Sequence, residues 1–248
     1  MPIQFFTPRG PQKELLNLPS SYRRTVRWLP RIGDIFPDFS IETTKGPIRL
    51  WDWADGSWVH LYSHPAAFTP VCTTELASFA FFAEDWRAAD IKLLGLTGSS
   101  VDSQRRWHQE IEALFDITID FPNGHDKGMH LARLFGMIHE HESLEWPIRK
   151  SFLLDPLMRV QMIFEYPIYI GRNCEEILRV AKALQLRAET GAATPADWVQ
   201  GDVAIVPDTM STAEAWRVFG AEPRALTPYL KVVDSVPADL RDQPRTCG

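Results

Sequence analysis

Residues 64–75 read His64-Pro65-Ala66-Ala67-Phe68-Thr69-Pro70-Val71-Cys72-Thr73-Thr74-Glu75, directly after the β-branched and aromatic run Trp58-Val59-His60-Leu61-Tyr62-Ser63. That run has the composition of a strand, and Pro65 ends it by restricting the residue before it to extended geometry. Thr69 then has the character of an N-cap, and Pro70 that of a first helical residue, where a missing N–H costs nothing. Apolar residues at Leu76, Phe79, Ala80, Ala83 and Trp86 recur at helical spacing. The stretch therefore predicts a strand, a proline turn and a helix with Cys72 in its first turn. Unpaired N–H groups and the positive end of the helix dipole meet there, which favours a thiolate over a thiol. Thr69, three residues earlier, is spaced to lay its hydroxyl beside the sulfur. For an isolated cysteine the plainer reading is a small buried residue at a helix end.

Outward from this unit, Ile32-Gly33-Asp34-Ile35-Phe36-Pro37-Asp38-Phe39 opens the folded part, with a strand expected at Ile91 to Leu96 and a helix near Ser103 to Leu114. Arg149 to Leu154 and Val160 to Tyr166 form a hairpin around Asp155-Pro156-Leu157-Met158. Strand and helix in alternation, closed by a hairpin, predict an α/β fold with a mixed central sheet. Asn173 starts a further helix, with Glu176 placed as in a capping box and Ile177, Val180, Ala181 and Leu184 on one face. From Thr190 the chain is rich in Pro, Asp and Gly and regains only short periodic pieces such as Ala213 to Phe219. The expected organisation is a basic N-terminal extension over 1–31, a main domain over 32–189, and a smaller unit over 190–248. That last unit is expected to have too little apolar sequence for a core of its own.

Across 248 residues, 26 Lys+Arg stand against 32 Asp+Glu, and 45% of residues are hydrophobic, as in a soluble globular protein. The formal charge of −6 argues against nucleic acid as a main partner. The balance is uneven, because Arg9, Lys13, Arg23, Arg24, Arg27 and Arg31 precede the main domain with Glu14 alone opposing them. Prolines 2, 8, 11, 19 and 30 spoil the amphipathic helix of a transit peptide, and no stretch reads as a secretory signal or membrane span. A cytoplasmic location is expected. Cys72, Cys174 and Cys247 form neither a disulfide framework nor a Cys-x-x-Cys metal site, and they fit redox chemistry in a reducing compartment. His139 and His141, interleaved with Glu140 and Glu142, read as a solvated acidic loop and not as metal ligands.

Pro65, Thr69 and Cys72 match the Pro-x-x-x-Thr-x-x-Cys motif of peroxiredoxins, and the longer string His-Pro-x-x-Phe-Thr-Pro-Val-Cys-Thr-Thr-Glu-Leu resembles their one-cysteine (1-Cys) subfamily. Arg149, upstream of Pro156, stands where that family has its active-site arginine. Gly171-Arg172-Asn173, Glu176-Ile177-Leu178-Arg179, Ala193-Thr194-Pro195-Ala196-Asp197-Trp198 and Gly201-Asp202 follow in the subfamily's order, so the likeness runs from roughly Ile32 to Val233. The resemblance implies a thioredoxin-like fold with a C-terminal dimerisation arm. It also implies a peroxidase that needs no metal, haem or flavin and reduces hydrogen peroxide and organic hydroperoxides through a sulfenic acid.

On the same resemblance Cys72 attacks the peroxide, Thr69 donates to it, Arg149 stabilises sulfur and leaving oxygen, and Pro65 shields the sulfur. Arg172 would support Arg149, and His64 would help hold the Cys72 loop. Glu75 would orient an arginine, or as a first-turn acid simply favour the helix start. The implied partners are a hydroperoxide, an external thiol reductant and a second copy in a homodimer, with a ring of dimers as the larger alternative; neither nucleic acid nor membrane is among them. Asp55-Gly56-Ser57-Trp58-Val59 lacks the Gly-x-Ser-x-Gly pattern of the phospholipase members, and Trp51 replaces their upstream histidine, so lipase activity is not expected. Cys174 at a helix start is either a second acidified thiol or merely a small residue. Cys247, in the polar stretch Ala238 to Gly248, is either a resolving cysteine or a terminal thiol without a role.

Overall fold

Along the chain the elements are β1 (Ser40–Thr43), β2 (Gly46–Arg49), α1 (Leu50–Ala54), β3 (Trp58–Ser63), α2 (Pro70–Phe81), α3 (Ala83–Ala88), β4 (Ile91–Thr97), α4 (Val101–Phe115) and β5 (Asn123–His125). They continue with α5 (His130–Leu134), β6 (Arg149–Leu154), β7 (Val160–Tyr166), α6 (Cys174–Thr190), β8 (Val203–Val206), α7 (Thr212–Phe219), β9 (Arg224–Thr227) and β10 (Leu230–Asp234). The structure, a computed structural model, describes residues 29–234. Almost all of the basic extension, and Cys247, lie outside the described residues.

A seven-stranded sheet runs in the order β2-β1-β5-β4-β3-β6-β7. β3, β4 and β5 are parallel, β6 pairs antiparallel with β3 and β7 antiparallel with β6, so the sheet is mixed as expected. Alternation along the central strands divides the interior into two cores. Val59 and Leu61 of β3, with Phe152 and Leu154 of β6, pack under Leu50, Phe36 and Phe135 on one face. Trp58 and Tyr62, with Leu153, face α2, α4 and α6 through Leu76, Phe79, Trp107 and Ile177. Because side chains repeat every second residue, Arg149 and Ser151 share that second face with Leu153. This register delivers the arginine to the cysteine helix.

Two expectations are corrected. The helix read through Trp86 ends at Phe81, because Phe82 (φ −88°, ψ 20°) breaks it and also starts α3. The turn carries Trp86 into the core, its ring stacked 5.6 Å from His60. The region after 190 also gathers a core, completed by Leu186 of α6: α7 and the sheet β8-β10-β9 enclose Ala192, Trp198, Ala204, Val206, Ala215, Phe219 and Val233 against it. Trp198 and Phe219 supply large apolar surface from single positions, which counting periodic residues undervalues.

Candidate active site

Cys72 is the third residue of α2, and none of its surface is exposed. Pro65, also buried, begins the turn that leads there; its carbonyl accepts from Thr97 Oγ1 at 3.2 Å, and Ala67 N–H donates to Ser99 Oγ at 3.0 Å. Thr69 stands at the N-cap position with extended backbone, yet its side chain does not cap the helix. Its hydroxyl donates to the Ala66 carbonyl at 2.8 Å. A hydroxyl has one hydrogen and two lone pairs, so Thr69 is left as an acceptor, the opposite polarity to the donation expected.

Arg149 is only 2% exposed, although it is a charged residue on a strand. Its Nη1 lies 3.3 Å from Cys72 Sγ and 2.6 Å from Glu75 Oε2, while its Nε donates to the Ile168 carbonyl at 2.8 Å. Glu75 sits in the second turn of α2, not the first, and faces inward at 2% exposure. It also accepts from Arg172, through Nε and Nη2 at 2.9 Å each and from the backbone N–H at 2.9 Å. Burial alone would raise the Glu75 carboxyl, but the Arg172 and Arg149 guanidiniums hold it below the usual carboxylate range. Arg172 is further placed by Ser151 Oγ at 3.1 Å and by the faces of Tyr62 and Phe79, 5.1 and 5.6 Å away.

The charges do not cancel. Two buried guanidiniums meet one carboxylate, and the surplus positive charge adjoins the sulfur. Buried charge is costly unless paired, so the surplus guanidinium favours negative charge that develops beside it during a reaction. A buried sulfur nucleophile beside a fixed cation is equipped to attack an electrophilic oxygen and to stabilise an oxyanion as it departs.

The remaining sequence candidates fall elsewhere. His64 is fully buried, neither ring nitrogen has a hydrogen-bond partner among the described residues, and burial pushes it down to about 3. It packs 5.5 Å from the Trp107 ring and makes no polar side-chain contact with the Cys72 loop. Cys174 does begin α6, but burial pushes its thiol up to about 11, so the acidified reading fails and the small buried residue stands. Among the described residues no three His, Cys, Asp or Glu side chains gather as metal ligands, and no helix is long and apolar enough to cross a membrane. Sequence reasoning missed the Ile168 carbonyl, which carries no residue-type signal. It also missed Tyr62 beneath Arg172, although its position on β3, two residues before His64, put it on the same face.

Residues 32–163 match the AhpC/TSA family, and residues 183–220 match the C-terminal domain of 1-Cys peroxiredoxin. A peroxiredoxin of Aquifex aeolicus is 42% identical over 69% of this chain and 77% of its own. The 1-Cys peroxiredoxin of Dictyostelium discoideum is 35% identical, covering 82% of this chain and 84% of its own. A solved structure of the yeast mitochondrial 1-Cys peroxiredoxin, studied for thiol resolution via glutathione/thioredoxin systems, superposes with a TM-score of 0.77 at 35% identity. It covers 83% of this chain and 100% of that one.

Proposed function

The chain belongs to the AhpC/TSA family, has the thioredoxin-like fold of the 1-Cys peroxiredoxins and is a thiol-dependent peroxidase; on that footing we propose that it reduces hydrogen peroxide and small organic hydroperoxides through a sulfenic acid on Cys72. The observation that carries this reading is the surplus guanidinium charge of Arg149, 3.3 Å from the Cys72 sulfur.

The thiolate attacks the terminal peroxide oxygen, so an S–O bond forms as the O–O bond breaks, and the departing oxygen takes a proton to leave as alcohol or water. Arg149 donates to sulfur and to the departing oxygen. Thr69, its own hydrogen engaged, accepts from the peroxide O–H. Pro65 walls the sulfur, Glu75 holds both arginines, and Arg172 keeps Glu75 in place. An external thiol then displaces water from the sulfenic acid to form a mixed disulfide, and a second thiol releases Cys72. This cycle requires a reducing compartment, and we place the chain in one as a homodimer.

The test is hydrogen peroxide consumption with dithiothreitol, together with the intact mass after one equivalent of peroxide. Wild type should turn over and gain one oxygen. Cys72→Ser should do neither, because its hydroxyl stays protonated; turnover of that variant near the wild-type rate would remove the assignment. Peptide mapping then separates recycling routes, since a Cys72–Cys247 disulfide would replace the first external thiol.

A further inference from the structure

The acidic loop that precedes β6 carries a contact that the peroxidase reading leaves unused. Glu142 Oε2 accepts from the Ile168 backbone N–H at 3.0 Å. The carbonyl of the same residue accepts from Arg149 Nε at 2.8 Å, and Arg149 Nη1 is the group 3.3 Å from Cys72 Sγ. Glu142 is itself fixed, because its N–H and that of Ser143 both donate to the His139 carbonyl, at 3.0 and 2.9 Å. Ile168 lies on a connection whose neighbours Tyr169 and Ile170 are 79% and 54% exposed. Among the described residues, Glu142 and Arg149 supply the only side-chain hydrogen bonds to the backbone of residues 167–171.

We infer that Glu142 is a positioning residue for the peroxidase reaction, holding the Ile168 carbonyl where it aims the Arg149 guanidinium at the Cys72 sulfur. A guanidinium is planar and rigid, so fixing Nε fixes the direction of Nη1. Glu75 fixes Nη1 from one side, and the Ile168 carbonyl fixes Nε from the other. Without Glu142 the second restraint loosens while the fold, which does not depend on an exposed loop carboxylate, persists. The inference rests on the role proposed above for Arg149.

The experiment is stopped-flow oxidation of the full-length protein by hydrogen peroxide, followed by tryptophan fluorescence, for wild type, Glu142→Ala, Glu142→Gln, Arg149→Lys and the Glu142→Ala/Arg149→Lys double variant. Glu142→Ala should slow oxidation by roughly tenfold or more, the scale of a misplaced reacting group. Glu142→Gln should recover most of that loss, since the amide oxygen still accepts. Lysine at 149 has no Nε to aim, so adding Glu142→Ala to Arg149→Lys should cost nothing further. An effect of Glu142→Ala below about twofold, or an equal loss in both backgrounds, overturns the inference and leaves the role of Arg149 intact. Wild-type oxidation by Arg149→Lys instead overturns the role of Arg149, and the inference falls with it.

Discussion

Glu75 pairs with two guanidiniums from different parts of the chain, at 2.6 Å and 2.9 Å, with almost no exposure to water. Its removal would strand two buried cations, whereas removal of Arg149 leaves a matched pair. Glu75→Ala should therefore destabilise the protein by about 3–5 kcal/mol, the cost of breaking a buried ion pair from one side, as read by urea unfolding. Arg149→Ala should keep more stability but oxidise about a hundredfold more slowly, the scale of losing one preorganised charge at a reacting centre. Stopped-flow rates near wild type for that variant would reject its role. At this scale the sequence was informative where chemistry resides in a residue type: Cys72 by its turn, Arg149 by its strand and motif. Glu75 follows Cys72 by three residues, so both face inward together. The polarity of Thr69 was not legible, because it depends on where the Ala66 carbonyl points.

Strand β3 carries His60 and Tyr62 on one face, His64 follows immediately after its end, and all three are buried. Burial lowers His60 well below its usual value, His64 to about 3, and, on α4, His108 to about 4. These rings are neutral in the folded protein at neutral pH, whereas in the unfolded chain they take up protons near pH 6.5. Their contribution is thus fully present above about pH 6.5 and is lost as pH falls toward the folded values, at up to about 1.4 kcal/mol per pH unit for each histidine. Glu75, with a lowered carboxyl, adds to the loss only below its ordinary carboxylate range. The urea midpoint should drop between pH 7.5 and pH 5, and His64→Phe should flatten the dependence; equal midpoints at the two pH values would contradict this. The histidine spacing was visible in the sequence, but burial was not, since β3 lacks the polar and apolar alternation of a half-exposed strand. The strand itself was legible to its ends, as was the β6–β7 hairpin, because β-branched residues and Asp-Pro punctuate them. Short elements such as β1, β2 and α5 are held by tertiary pairing more than by local pattern and left no such trace.

For the whole molecule, the short apolar content after 190 calls for a surface to pack on, and α6 of the same chain provides it through Leu186, so the core around Trp198 and Phe219 needs no second copy. A different ground for dimerisation remains in the sheet. β7 is its last strand, and only the start of its outer edge is covered, by the bridge between Ile35 and Arg159 and by hydrogen bonds of Gly33 and Asp34 with Val160. From Gln161 to Tyr166 the outer edge pairs with no other strand among the described residues, and Ile163, Phe164 and Tyr166 are only half-buried. An edge of this kind invites pairing with another chain unless charge, proline or a cover blunts it, and Glu165 is the single charge present. A second copy presenting the same edge would extend the sheet through a two-fold axis, which is the closed symmetry most homodimers adopt. Light scattering at micromolar concentration should return twice the 28.3 kDa of one chain. Hydrogen exchange should find the amides of Gln161–Tyr166 more protected there than after dilution to monomer. A single-chain mass rejects the dimer, and a dimer whose β7 amides exchange as freely as those of the monomer moves its interface away from this edge.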